Sequence, residues 1–208
     1  MATDAELAQD CVNCYVAPLN FNKVVYQNGV WVGIKMHPVG MVLAFRGSDN
    51  IPDWLRDFDA EEYNDDELGR VPAGAMIGLK QLAANPPRVQ CPLYITGHSL
   101  GAWHACLFAA LLMARGITVT KVVGLGTPKV GGSKITQLLA PVEVNLYKNR
   151  FDPVCDVPID LPGLEPYEHP RTLIPLNEPP AIPDEWGLLS DHHSELYLRG
   201  IQKLCPSS

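Results

Sequence analysis

The sequence contains no apolar stretch that is long enough to cross a membrane. Its longest apolar run, residues 102–114, includes His104 and ends at Arg115, whereas a spanning helix needs about 20 apolar residues. A secretory leader is also missing, because residues 1–10 are acidic and have neither a basic start nor an apolar centre. We therefore expect a soluble chain that is intracellular or already processed, and the sequence assigns no compartment.

The chain also lacks the cysteine pattern of a disulfide framework or a zinc site. Cys11 and Cys14 form a C-x-x-C pair, but no second pair and no histidine cluster lies at metal-binding spacing. We interpret the cysteines as structural thiols and expect neither a metal nor an organic cofactor. The six stand at positions 11, 14, 91, 106, 155 and 205.

A basic stripe of the kind that binds nucleic acid is absent as well. The net charge is −7, and the segment Asp49–Glu67 holds nine acidic residues and one basic residue. A phosphate backbone would be repelled by this field, so nucleic acid is excluded as a partner. The segment is either a solvated loop or an amphipathic cover for a pocket, because its apolar residues share one face of a helix. These residues are Ile51, Trp54, Leu55 and Phe58.

What the sequence does contain is an alternation of strand and helix patterns over one domain, residues 1–208. This alternation predicts an α/β fold with a mainly parallel central sheet and helices on both faces. Strands are predicted at 30–36, 39–45, 91–96, 119–125 and 142–147. Helices are predicted at 4–15, from 76 to before Asn85-Pro86-Pro87, and at 102–114, 133–139 and 194–204.

The pentapeptide Gly97-His98-Ser99-Leu100-Gly101 follows an apolar strand and opens an apolar helix. A serine on such a sharp turn projects its hydroxyl above the sheet, and small neighbours allow the backbone to turn tightly. Ser99 is therefore predicted to be a nucleophile. The backbone N–H of Leu100, at the start of the helix, is predicted to face an oxyanion formed on a substrate carbonyl.

A serine nucleophile needs a base and a group that orients the base. Asp152 follows a predicted strand on the same edge as Ser99, whereas Asp156 and Asp160 lie further into a proline-rich loop. If the chain follows the order Ser, Asp, His of α/β hydrolases, the base is one of three later histidines. These are His169, His192 and His193.

Taken together, four blocks of the sequence resemble the class 3 lipase family of α/β hydrolases, the family of the filamentous-fungal lipases. Their order along the chain is more specific than any one of them. The blocks are Leu43-Ala44-Phe45-Arg46-Gly47-Ser48 with Asp53-Trp54; residues 97–102; residues 126–131, Gly-Thr-Pro-Lys-Val-Gly; and Asp152-Pro153-Val154 with Asp191-His192 and Tyr197.

The resemblance implies a triad of Ser99, Asp152 and a C-terminal histidine. It favours His192 over His193, because an aspartate before the histidine and a tyrosine shortly after it are frequent in the family. It also implies that Ser48 joins Leu100 in the oxyanion hole, and that residues 49–66 form a lid. Trp54, Leu55 and Phe58 would then line the substrate pocket.

These residues predict a serine hydrolase that cleaves carboxylic esters of the lipase or esterase type, acylglycerols or other lipid-like esters. The lid implies transient contact with a lipid–water interface. The same triad would also serve a phospholipase, a thioesterase or an acyltransferase, and these alternatives stay open. A non-catalytic binding protein on a hydrolase fold is a further alternative, although every part that catalysis requires is present.

Overall fold

The computed structural model describes residues 1–48, 62–73, 76–86, 90–159, 163, 165–180 and 187–204. The strands in these residues are β1 (Lys23–Gln27), β2 (Val30–His37), β3 (Gly40–Phe45), β4 (Glu62–Asp65), β5 (Gly69–Pro72), β6 (Leu93–His98), β7 (Lys121–Leu125), β8 (Glu143–Asn149) and β9 (Ile174–Leu176). The α-helices are α1 (Asp4–Val16), α2 (Met76–Ala84), α3 (Leu100–Ala114), α4 (Ser133–Leu138) and α5 (Ser194–Leu204). Short 3₁₀ helices cover Pro18–Asn20, Pro153–Asp156 and Gly187–His192.

The central sheet is mainly parallel. Its seven strands lie in the order β1-β2-β3-β6-β7-β8-β9. Strands β3, β6, β7, β8 and β9 run parallel to one another. Strands β2 and β1 follow β3 at its other side and pair antiparallel. Because the parallel strands share one direction, the segments that follow β3, β6, β7 and β8 all emerge at the same edge of the sheet.

Helices cover both faces of this sheet, because successive residues of a strand point to opposite sides. Ile95 and Val122 belong to the core beneath α2, α3 and α4, whereas Tyr94 and Val123 belong to the core beneath α1 and α5. The predicted α/β fold is therefore confirmed.

Helix α3 has nearly all of its side chains buried, which explains its uniformly apolar sequence. Among the described helices, neither α3 nor any other is both long and apolar enough to cross a membrane.

The structure adds strands that the sequence pattern did not predict. Strand β1 lies at the sheet edge and is half exposed, so its apolar pattern is weak. Strand β9 has only three residues and contains Pro175. The predicted strand before Ser99 begins at Leu93 instead of Cys91 and extends to His98.

The structure describes only the C-terminal end of the predicted lid. Residues 62–65 form β4, which pairs with β5 in a hairpin. The reason is local: the Asp65 carboxylate accepts the backbone N–H groups of Glu67 and Leu68 and so closes the turn. The rest of the predicted lid, including Trp54, Leu55 and Phe58, lies outside the described residues.

Candidate active site

Ser99 occupies the turn between β6 and α3. Its backbone is left-handed, with φ 59° and ψ −130°, and its N–H donates to the carbonyl of Leu125 at 2.9 Å. The flanking glycines are required by space. A Cβ on Gly97 would lie 2.2 Å from the Gly101 carbonyl oxygen, and one on Gly101 would lie 2.2 Å from the Phe45 carbonyl oxygen. The turn after β6 thus lies close to the ends of β3 and β7, and it holds Ser99 in a strained conformation.

Asp152 follows β8 at the same edge of the sheet and is fully buried. Its Oδ1 accepts the N–H of Val154 at 2.9 Å. Its Oδ2 accepts Nδ1–H of His192 at 2.5 Å and the hydroxyl of Tyr197. Burial raises the pKa of the Asp152 carboxyl, but His192 and the three hydrogen bonds lower the pKa by more, so the group is held as an anion.

His192 ends the 3₁₀ helix before α5, and its backbone is held from two sides. The side chain of Asn149 donates to the carbonyl of Asp191 at 3.0 Å, and Nε2 of His98 donates to the carbonyl of His192 at 2.7 Å. Because Asp152 is an anion and can only accept, His192 carries its proton on Nδ1. Its Nε2 is then left as a proton acceptor.

The buried Ser99 Oγ and His192 Nε2 have no hydrogen-bond partner within the described residues. Gly126 lies next to the His192 ring and next in sequence to the residue that binds Ser99. Its own Cβ, if present, would lie 2.6 Å from Cε1 of His192, and it directly follows Leu125, which binds the Ser99 backbone. The arrangement thus offers a hydroxyl and an imidazole that a carbonyl substrate can bring together, since such bonds are often long before substrate binds.

The predicted oxyanion groups follow two neighbouring strands. Ser48 comes shortly after β3, and Leu100 opens α3 directly after the serine. The loop before Ser48 passes beside the nucleophile, because a Cβ on Gly47 would lie 3.2 Å from Cβ of Ser99. Both backbone N–H groups are therefore carried by elements that converge at Ser99, and their role as an oxyanion hole stays a prediction.

Two of the competing sequence candidates, Asp156 and His169, bind groups outside the candidate triad. Asp156 binds Lys148 at 2.7 Å, and Nε2 of His169 binds the carbonyl of Cys155 at 2.9 Å. His193 is the residue after the one that contacts Asp152, and Asp160 lies outside the described residues. Of the three histidines left open by the sequence, the structure brings His192 to Asp152.

No group of three or more His, Cys, Asp or Glu side chains within the described residues could hold a metal ion. The described cysteines, Cys11, Cys14, Cys91, Cys106 and Cys155, are free thiols.

This geometry agrees with the comparison to protein families. The family described as lipase (class 3) matches residues 42–161, more than half of the chain. The chain belongs to the class 3 lipase family. The matched range of this lipase-family chain contains Ser48, Ser99 and Asp152, and His192 lies beyond it.

Curated relatives of this chain include the secreted mono- and diacylglycerol lipase A of Penicillium cyclopium and the protein of the same name from Penicillium camembertii. Each is 29% identical to it over 133 residues, which cover 57% of this chain and 43% of the relative. The chain thus spans less than half the length of these relatives.

Solved structures of fungal lipases share the fold. The Rhizomucor miehei lipase in its propeptide complex has a TM-score of 0.57 at 16% identity, covering 75% of this chain and 61% of that one. Lipase II from Rhizopus niveus has a TM-score of 0.57 at 19% identity, covering 72% and 65%.

Sequence reasoning missed three side chains that bind the candidate triad or its surroundings. Tyr197 served only as a spacing mark for His192, yet its hydroxyl binds Asp152. His98 was named only as part of the serine motif, yet its Nε2 donates to the carbonyl of His192. Tyr15, on α1, carries no signal in the sequence, because its contacts lie more than 30 residues away.

Proposed function

We propose that this chain is a serine hydrolase that cleaves carboxylic esters through an acyl-enzyme on Ser99. The observation that carries the proposal is the buried pair of Asp152 and His192, whose Nδ1–Oδ2 distance is 2.5 Å. This pair leaves Nε2 as a proton acceptor on the same sheet edge as the strained serine turn. Membership in the class 3 lipase family supports the same chemistry.

The proposed reaction has two steps. Nε2 of His192 takes the Ser99 proton as Oγ attacks the ester carbonyl, and the Asp152 anion stabilises the imidazolium that forms. The backbone N–H groups of Ser48 and Leu100 stabilise the oxyanion. The imidazolium then protonates the leaving alcohol, and water activated by His192 releases the acid from Ser99.

The substrates we propose are neutral acylglycerols or other lipid-like esters. The relatives' name, mono- and diacylglycerol lipase, supports this class. The acidic segment Asp49–Glu67, with nine acids and one base, disfavours anionic lipid surfaces. Trp54, Leu55 and Phe58 are the residues we propose for the pocket wall, and they would make transient contact with a lipid–water interface.

The first test is hydrolysis of p-nitrophenyl esters from acetate to palmitate by the wild type and three variants. We expect Ser99→Ala and His192→Ala to lower kcat/KM by about three orders of magnitude or more. His193→Ala is the matched control, because it removes an imidazole one residue away, and we expect it to retain most of the activity. The chain-length optimum separates an esterase from a lipase.

A fluorophosphonate probe gives a readout that does not depend on the choice of ester. Labelling of Ser99 in the wild type but not in Ser99→Ala would support the nucleophile, and a thioester and a phospholipid in the substrate panel test the other acyl-transfer enzymes. Activity that survives Ser99→Ala would overturn the mechanism. A wild-type protein that is inert to all esters and unlabelled would favour a binding protein.

A further inference from the structure

A chain of hydrogen bonds connects the loop before Ser48 with the backbone of His192. The N–H of Gly47 donates to the Tyr15 hydroxyl at 3.0 Å. The Tyr15 oxygen lies 3.0 Å from Nδ1 of His98, and Nε2 of His98 lies 2.7 Å from the carbonyl of His192. The proposed mechanism uses neither Tyr15 nor His98.

The direction of each bond follows from its ends. The Gly47 amide can only donate, and the His192 carbonyl can only accept. Nε2 of His98 therefore carries the proton, Nδ1 accepts, and the Tyr15 hydroxyl donates to it. All four groups are satisfied by one arrangement of protons, so the connection has a single tautomer of His98.

His98 is held neutral in this arrangement. Burial, and after it the neighbouring His192, lowers the pKa of its imidazole to about 3. The two rings lie with their centroids 4.5 Å apart at an angle of 34°. A neutral ring therefore packs beside the imidazole that the proposed reaction would make a cation.

The connection joins parts of the chain that are far apart in sequence. Tyr15 lies on α1, Gly47 follows β3, His98 ends β6 and His192 precedes α5. A shift of either part would therefore be transmitted through Tyr15 and His98.

We propose that Tyr15 and His98 are positioning residues, which hold the oxyanion loop and the base at a fixed separation around Ser99. The inference rests on the proposed acyl transfer, because it assigns them an effect on that reaction. Neither residue touches the reacting atoms. Their effect is to keep Ser48 and His192 in the geometry that the transition state requires.

Tyr15→Phe is the sharpest test, because it removes one oxygen and leaves the ring. We expect kcat for a soluble p-nitrophenyl ester to fall about tenfold, since misplaced groups lose transition-state stabilisation, while KM changes by less than about twofold.

A pair of substitutions at His98 adds a rescue. His98→Leu removes the donor to the His192 carbonyl, whereas His98→Gln carries an amide N–H at the same number of bonds from the backbone. We expect His98→Gln to recover much of the kcat that His98→Leu loses. His104→Gln is the control: His104 is also buried, at 4% exposed against 3% for His98, but lies outside this connection.

The outcomes separate the two proposals. If the wild type hydrolyses esters and labels at Ser99, but Tyr15→Phe and His98→Leu keep the wild-type kcat, the positioning role is wrong. The role is also wrong if His104→Gln lowers kcat as much as His98→Leu does. A wild type that neither hydrolyses nor labels contradicts the proposed function instead. Thermal melts of each variant identify any that do not fold.

Discussion

At the residue scale, Gly126 shows how little room the candidate base has. Its φ is +58°, and a Cβ there would lie 2.6 Å from Cε1 of His192 and 3.0 Å from Oδ2 of Asp152. Gly126→Ala should therefore push His192 away from Ser99. We expect kcat/KM for a p-nitrophenyl ester to fall about a hundredfold, the usual effect of a displacement of about 1 Å at an active site.

Gly116→Ala is the matched control for this variant. Gly116 has a φ of +75°, but a Cβ there would meet nothing within 4 Å. It therefore carries the same backbone penalty of about 1 kcal/mol without the clash. We expect lower stability in both variants, measured by urea unfolding, and lost activity only in Gly126→Ala. Equal activities would show that the space beside His192 is not limiting.

At the element scale, a salt bridge between a buried carboxylate and a lysine connects the β4–β5 hairpin to α2. Asp65 pairs with Lys80 and accepts two backbone N–H groups in the turn. Asp65→Asn keeps a turn acceptor but removes the charge. We expect it to lower the free energy of unfolding by about 1–3 kcal/mol. Asp66→Asn makes the same change at an exposed neighbour, and we expect it to cost less than about 0.5 kcal/mol.

The same carboxylate makes this difference depend on pH. Burial raises the pKa of Asp65, but Lys80 and the turn N–H groups lower it by more, so the pKa lies below the ordinary value of 3.8. The stabilisation is then complete above pH 3.8 and is lost as the pH falls through the lower folded value. The free energies of unfolding of the wild type and Asp65→Asn, measured in urea, should therefore converge as the pH falls below about 4. A difference that stays constant with pH would assign the loss to packing.

At the scale of the whole molecule, the negative charge is concentrated in one segment. The net charge is −7: the segment Asp49–Glu67 carries −8, and the rest of the chain carries +1. At the described end of this segment, Asp65 and Glu67 pair with Lys80 and Arg115. A segment with this charge would repel an anionic lipid surface.

This charge predicts a salt effect that depends on the lipid. With neutral ester droplets, we expect hydrolysis to change little between low and moderate salt. Droplets that contain an anionic lipid should be hydrolysed several-fold more slowly at low salt, and salt should restore the rate, because the screening length falls from about 30 Å at 0.01 M to about 10 Å at 0.1 M. Equal rates on both droplets at low salt would contradict a repulsive surface near the site.

Much of the secondary structure and one site residue could be predicted from the sequence, because their causes are local. The elbow at Ser99 needs only a strand, two small residues and a helix in succession. The long helices and buried strands have strong periodic patterns. The short or exposed elements, β1, β4, β5 and β9, have weak patterns, so their existence depends on pairing with distant segments.

The sequence by itself therefore determined the α/β class, the serine turn and a short set of acids and histidines. Only the tertiary structure decided which of them meet. Asp152 and His192 are 40 residues apart. Asn149 and Tyr197 hold α5 and the preceding helix against β8, and His98 holds the His192 carbonyl from the end of β6. Tyr15 joins this site from α1. Contacts of this kind arise from packing between elements, and no local pattern of residues encodes them.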